Sequence, residues 1–129
     1  MITKTIKYTD YDGVEREDKF LFNLSKAEVV EMETAIDGGL TGTIKKISET
    51  KDLSSLVQIF KKLILESYGE KSIDGKRFIK VNDAGVPLSI GFSQTEAYSE
   101  LFMELATNAD SAIEFINGII PQEVKVENN

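Results

Sequence analysis

Histidine, cysteine and tryptophan are absent from this chain, and only two of its 129 residues are proline. Without histidine or cysteine the chain cannot build a Ser-His-Asp or Cys-His triad, a disulfide or a typical zinc site. Runs of about 20 apolar residues, which a membrane-spanning helix needs, are also missing. Residues 1–8 lack the apolar segment and the cleavage site of a signal peptide, so we expect a cytoplasmic protein with no membrane partner.

Acidic residues are in excess, and they are unevenly distributed. The chain has 22 acids and 15 bases, which gives a net charge of −7. Residues 45–80 carry nine bases and five acids, whereas residues 81–129 carry eight acids and one base. An acidic surface repels phosphate backbones, so we expect no nucleic-acid partner, although the basic middle third leaves room for a local basic patch.

Length and hydrophobic pattern together predict a single α+β domain. A chain of 129 residues is long enough to bury one hydrophobic core. We expect this domain to cover residues 1–121, with an N-terminal β-hairpin over 1–23 and a mainly helical part of about four helices over 25–121. Residues 122–129 are predicted to be a flexible tail.

The N-terminal hairpin is predicted from two β-prone runs, 2–9 and 14–22. Asp10-Tyr11-Asp12-Gly13 lies between them, and an Asp-Gly pair favours a tight turn. A lone hairpin is only marginally stable in water, so it must pack on helices or join another sheet. An unpaired strand edge is also a route to self-association.

Apolar residues at helical spacing predict four helices. The first covers residues 25–37 and begins with a capping box between Ser25 and Glu28. The clearest covers residues 53–67 and begins after Asp52, which we expect to be its N-cap. The buried stripe of the first would comprise Val29, Met32 and Ile36, and that of the second Leu53, Leu56, Val57, Phe60, Leu63 and Ile64.

Two further helices are predicted near the C-terminus, over residues 93–107 and 109–118. Ser93 and Glu96 have the spacing of a second capping box, and Asn117-Gly118 is typical of a helix end. The buried residues would be Tyr98, Leu101, Phe102 and Leu105 in the third helix and Ile113 and Ile116 in the fourth.

Two stretches have no clear period. Residues 40–50 have isoleucines at helical spacing, but Thr41-Gly42-Thr43 favours a loop leading into them. Gly69 is predicted to end the helix of residues 53–67 as its C′ residue. Residues 70–92 beyond it are irregular, and the alternation of apolar residues over 88–92 predicts a second hairpin there.

Two segments resemble ligand-binding loops but fail on spacing. Gly69–Lys76 resembles a phosphate-binding loop, yet five residues rather than four separate its glycines, and arginine follows the lysine. Asp10 and Asp12 resemble the start of a calcium loop, but Glu15 and Leu21 replace the required glycine and glutamate. We therefore predict no catalytic residue, no cofactor and no metal.

Two surface features are candidates for partner binding. Leu65 and Met103 project away from the buried stripes of their helices. Glu96, Glu100 and Glu104 lie at i, i+4 and i+8 along one helix face, where like charges repel each other and no neighbouring base offsets them. A solvated face and isolated exposed apolar residues explain these features most simply, whereas docking on a basic partner or a neighbouring subunit is the alternative.

Three stretches of the chain, in their order and spacing, resemble a known family. They are Leu65-Glu-Ser-Tyr-Gly-Glu-Lys-Ser with the following Asp-Gly-Lys-Arg-Phe, the run from Phe92 to Leu105, and Phe115-Ile-Asn-Gly-Ile-Ile-Pro. As a set they resemble the tail assembly chaperones of long-tailed (siphovirus-type) phages and prophages of Gram-positive bacteria. The likeness is closest over residues 53–121.

The resemblance implies a binding protein of the host cytoplasm. Such chaperones bind the tape measure protein, keep it soluble, help to recruit tail tube subunits and are absent from the finished virion. Many are also made as a longer frameshifted product. The family is defined by binding surfaces, so the resemblance implies no catalytic or cofactor-binding residue.

Other function classes stay open on the residues alone. The main alternative is a structural tail or head–tail completion subunit that stays in the virion and whose hairpin joins a ring. An acidic inhibitor that mimics nucleic acid would fit residues 81–129, but the basic middle third counts against it. An enzyme is the least favoured class, because the usual nucleophile–base pairs are missing.

Overall fold

The computed structural model describes residues 1–50 and 53–121. It confirms the predicted α+β class, with an antiparallel strand pair followed by a mostly helical region. The described part holds six α-helices rather than about four. The elements are β1 (Ile2–Thr9), β2 (Glu15–Phe22), α1 (Lys26–Ala35), α2 (Gly39–Glu49), a 3-10 turn (Leu53–Leu56), α3 (Val57–Ser67), β3 (Tyr68–Lys71), β4 (Phe78–Ile79), α4 (Leu88–Ser93), α5 (Glu96–Thr107) and α6 (Ala109–Ile119).

The N-terminal hairpin forms as predicted. β1 and β2 pair in an antiparallel register that places Ile2 opposite Phe22. The carboxylate of Asp10 accepts a hydrogen bond of 2.9 Å from the backbone N–H of Val14 and so braces the turn. Gly13 adopts φ 81°, which a residue with a side chain rarely does.

The hairpin joins a larger sheet with the strand order β1-β2-β3-β4, in which every neighbouring pair is antiparallel. The prediction that Gly69 ends a helix as its C′ residue is wrong, because Gly69 lies in β3 opposite Leu21. A Cβ atom at position 69 would lie 2.5 Å from the Phe78 ring and 2.6 Å from the Ile79 carbonyl oxygen. Glycine is therefore needed for the close approach of β4 to β3.

α1 has the predicted capping box, but α2 extends where a loop was expected. The backbone N–H of Glu28 donates to Ser25 Oγ at 3.2 Å, and the Glu28 carboxylate accepts from the Ser25 N–H at 2.9 Å. Thr41-Gly42-Thr43 is helical, contrary to the prediction. Thr43 is fully buried and donates its hydroxyl to the Gly39 carbonyl oxygen at 2.9 Å, so packing outweighs its weak helix propensity.

The segment before α5 also differs from the prediction. Residues 88–92 form part of the short helix α4 rather than a strand. Ser93 belongs to α4 and donates to the Ile90 carbonyl oxygen at 2.7 Å, so the second predicted capping box is wrong. Thr95 caps α5 instead, since its Oγ1 accepts from the Tyr98 N–H at 3.2 Å.

The remaining helix limits are close to the predictions. The clear helix of residues 53–67 begins with the 3-10 turn and continues as α3. α6 runs through Gly118 to Ile119, one residue beyond its predicted end. A Cβ at Gly118 would lie 2.6 Å from Ile2 Cδ1, so this glycine lets α6 approach β1 closely. The predicted N-cap Asp52 and the predicted tail lie outside the described residues.

The core lies between the sheet and the helices. Most residues of the predicted stripes are buried, whereas Val57, Tyr98, Phe102 and Ile113 are only half-buried. Aromatic rings connect the sheet to α5: Tyr68 stacks on Phe92 with centroids 4.3 Å apart, and Tyr98 follows 5.9 Å beyond Phe92. The largest fully buried side chains are Phe22, Leu24, Leu40, Ile44, Ile47, Phe60, Leu63, Ile64, Leu101, Leu105, Phe115 and Ile116.

Candidate functional site: an apolar groove between two helices

An open groove lies between α3 and α5. Its first half has a volume of about 540 Å³ and is lined by Lys61 and Leu65 of α3 together with Phe102 and Met103 of α5. Because the end of α3 and the beginning of α5 both line this half, the two helices run antiparallel along the groove.

The groove continues past the N-terminal end of α3. Its second half has a volume of about 680 Å³ and is lined by Leu53 and Ala106, with Val57, Phe102 and Met103 shared between the halves. Twelve residues separate Leu53 from Leu65, which corresponds to a length of about 18 Å at the helical rise of 1.5 Å per residue.

The sequence spacing explains why a groove forms here. Val57, Lys61 and Leu65 are four residues apart, so they form one row along α3. Around the axis of α5, the positions of Ser99 and Ala106 fall between those of Phe102 and Met103. Their small side chains leave space beside the two larger ones, and the surface is concave rather than ridged.

The structure brings the two predicted apolar residues together. Leu65 and Met103 line the same half of the groove. Met103 is 55% exposed, whereas Leu65 is half-buried. They are therefore parts of one surface, which sequence spacing alone did not indicate.

Three other lining residues, Val57, Tyr98 and Phe102, were assigned to the core by sequence reasoning. The signal that could have separated Tyr98 and Phe102 from the core is the width of the apolar face of α5. Around the helix axis from Leu101 to Met103, the apolar residues span an angle of about 200°. A helix that packs on a single surface needs a narrower apolar face. Burial raises the pKa of the Tyr98 hydroxyl above its ordinary value of 10.0.

The glutamate row is partly engaged by the hairpin. Tyr11 Oη donates to Glu96 Oε1 at 2.7 Å, and Lys4 Nζ donates to Glu104 Oε2 at 2.7 Å. The hydrogen bond to Glu96 raises the pKa of Tyr11. Glu100 makes no hydrogen bond or ion pair with any described residue. Two of the three glutamates thus stabilise the contact between α5 and the hairpin.

The lining of the groove is largely apolar, with serine, threonine and lysine at its border. Within residues 1–50 and 53–121, no group of three acidic, histidine or cysteine side chains is placed to hold a metal ion. Of the helices described, none combines the length and the hydropathy needed to cross a membrane. An open apolar groove bordered by serine, threonine and lysine matches the way grooves take up amphipathic helices.

Comparison with known proteins identifies a family. A family model described as phage tail assembly chaperone matches residues 1–129, which is the whole chain. No curated protein and no solved structure matches the chain. The match confirms the resemblance seen in the sequence, which was closest over residues 53–121.

Proposed function

Since the chain belongs to the phage tail assembly chaperone family, we propose that it binds the tape measure protein, keeps it soluble and helps to recruit tail tube subunits. The observation that carries the proposal is the groove between α3 and α5, where Met103 is 55% exposed among other apolar residues. A helix of the client would cover this surface. The action is non-covalent and, we propose, takes place in the host cytoplasm.

The dimensions of the groove suit a helical client. A length of about 18 Å accommodates about three turns of α-helix, which present an apolar row at i, i+3, i+4 and i+7. Methionine is flexible and adapts to different neighbours, so the same groove can take up segments of different sequence. Such tolerance fits a client with many similar amphipathic stretches.

Binding at a single groove is expected to be weak. Covering apolar surface contributes roughly 25 cal/mol per Å², and the entropy lost on association offsets much of this. Several copies bound along one long client would each hold a short stretch. Weak individual contacts then keep the client covered while allowing tail tube subunits to displace the chaperone.

Coexpression with the tape measure protein of the same phage tests the proposal. We expect the wild-type chain to keep the tape measure protein in the soluble fraction and Met103→Glu to lower that fraction severalfold. Position 103 is exposed, so the variant should fold, which circular dichroism and thermal unfolding check. The tail tube protein should copurify with the chaperone only when the tape measure protein is present.

The matched control is Val30→Glu, which makes the same kind of change on α1 at a position that is 66% exposed and outside the groove. Val30→Glu should solubilise the client as well as the wild type. Equal client solubility with both variants would show that the groove is not the binding site. A client that is equally insoluble with and without the wild-type chain would contradict the proposed function itself.

A further inference from the structure

Two residues of opposite charge, unpaired within the described part of the chain, lie on the two sides of the first half of the groove: Lys61 is part of its lining, and Glu100 lies outside the lining, beyond Met103 on α5. Lys61 lies on the α3 rim between Val57 and Leu65 and has no hydrogen bond or ion pair with any described residue. Glu100 lies three residues before Met103, on the side of α5 that faces β1, and it is likewise unpaired within residues 1–50 and 53–121. Lys7 lines the same depression as Glu100 but forms no ion pair with it.

Two neighbouring lysines, Lys62 and Lys4, are already engaged. Lys62 lies 3.9 Å from Glu66 on the same helix, and Lys4 holds Glu104 at 2.7 Å. Lys61 is therefore an available positive charge in the lining on the α3 side. Glu100 is an available negative charge beyond the α5 edge, in a depression that it shares with Lys7 and Arg16 of the hairpin.

We propose that this pair of charges sets the direction in which a client helix lies in the groove, an inference that rests on the proposed function. The occupant is an amphipathic α-helix of about three turns whose apolar row faces Val57, Phe102 and Met103. It carries a carboxylate on the flank toward Lys61 and a basic residue on the flank toward Glu100. Turning the helix end for end exchanges its flanks and brings like charges together.

The expected preference is modest and depends on salt. Both charges are exposed, so each pair is screened, and we expect about a tenfold preference for one direction at low ionic strength. At about 1 M salt, where the Debye length is about 3 Å, the preference should disappear while apolar binding persists. A direction set by the shape of the groove would instead be unaffected by salt.

Directional cross-linking measures the preference. The chain has no cysteine, so a single introduced thiol reacts without background. Ser93→Cys marks one end of the groove and Thr107→Cys the other. Each hydroxyl donates only to a carbonyl oxygen within its own helix, at 2.7 Å and 2.6 Å. Ser93 is half-buried and Thr107 is exposed, so two probes with exchanged flanks are compared with each other at each site.

The probe is a designed 14-residue amphipathic helix with glutamates on one flank, lysines on the other and a thiol-reactive group at its N-terminus. We expect it to cross-link to one marked end about ten times more than to the other. A second probe with the flanks exchanged should prefer the opposite end. The double variant Lys61→Glu/Glu100→Lys, which leaves the net charge unchanged, should invert both preferences.

The outcomes distinguish a failure of this inference from a failure of the proposed function. Equal cross-linking at both ends at low salt overturns the directional role of Lys61 and Glu100 and leaves groove binding intact. If Met103→Glu does not reduce the yield of cross-linking, the helix does not bind in the groove. The same conclusion follows if the yield never exceeds that of the cysteine-free chain. The control Lys62→Glu/Glu114→Lys alters charges outside the groove lining and should keep the wild-type preference; an inversion there would also overturn the inference.

Discussion

At the scale of single residues, Glu28 shows how one carboxylate serves two parts of the fold. Oε1 accepts from the Ser25 N–H in the capping box, and Oε2 accepts from Lys80 Nζ at 2.7 Å. Lys80 also donates to the carbonyl oxygen of Glu66 at 2.7 Å. The sequence spacing predicted the capping box, because its partners are three residues apart. The contact with Lys80 spans 52 residues and depends on the path of the chain after β4.

The contact between Glu28 and Lys80 predicts a pH dependence of stability. Burial alone would raise the pKa of Glu28, but hydrogen bonds from Lys80 and the Ser25 N–H outweigh it and lower the pKa below the ordinary 4.5. A lowered folded-state pKa stabilises the fold above pH 4.5, and this contribution is lost as the pH falls through the folded-state pKa.

Lys80→Met should therefore reduce the free energy of unfolding at pH 7 by roughly 1 kcal/mol and by less at acidic pH, where Glu28 is protonated. Urea unfolding at pH 7 and at several values below pH 4.5 measures the difference. Lys62→Met, which removes the exposed contact with Glu66, is the control and should change little. A loss for Lys80→Met that is constant with pH would contradict the proposed role of Glu28.

At the scale of elements, the errors of sequence reasoning occur where packing outweighs local preference. Thr41-Gly42-Thr43 has poor helix propensity, yet the helix buries Leu40 and Ile44, so it forms. Residues 88–92 alternate like a strand, yet they form part of the helix α4. Of the apolar residues of α4 only Phe92 is buried, and its ring stacks on Tyr68 of the sheet. Strong local signals, such as the Asp-Gly turn and the capping box of α1, were sufficient for the hairpin and the first helix.

Gly42 and Gly69 predict opposite effects of the same substitution. A Cβ at Gly42 would meet no atom within 4 Å, so Gly42→Ala should stabilise α2 by roughly 0.5–1 kcal/mol. A Cβ at Gly69 would meet the Ile79 carbonyl oxygen at 2.6 Å, so Gly69→Ala should destabilise the sheet by roughly 1–3 kcal/mol. Urea unfolding of both variants checks the signs, and an unchanged stability for Gly69→Ala would mean that β4 does not pack closely on β3.

At the scale of the whole molecule, the hairpin engages one side of α5, and the side that faces the groove stays open. Lys4 and Tyr11 of the hairpin hold Glu104 and Glu96, so part of the acidic excess is offset within the chain. The sequence showed the glutamate row and the lone Leu65 and Met103, but not their neighbours, because those depend on how distant elements pack. β1 is the first strand in the sheet order, so self-association through its outer edge stays a separate prediction.

The open side of α5 bears on whether the chain stays in the finished particle. A client helix and a permanent structural neighbour would compete for the same apolar surface. A chain that covers the tape measure protein through this groove must therefore leave when the tube encloses the client. We therefore expect purified virions to contain the tape measure protein without this chain. Infected cells that lack the tail tube gene should accumulate a complex of the two proteins.

Quantitative mass spectrometry of purified virions measures the difference. Tape measure peptides in the same sample are the internal control, since they show that interior tail proteins are detected. A structural tail or head–tail completion subunit would be present at a fixed ratio to the tape measure protein. Such a ratio, kept through density-gradient purification, would favour the structural role, because reversible contacts in an exposed groove should not survive dilution.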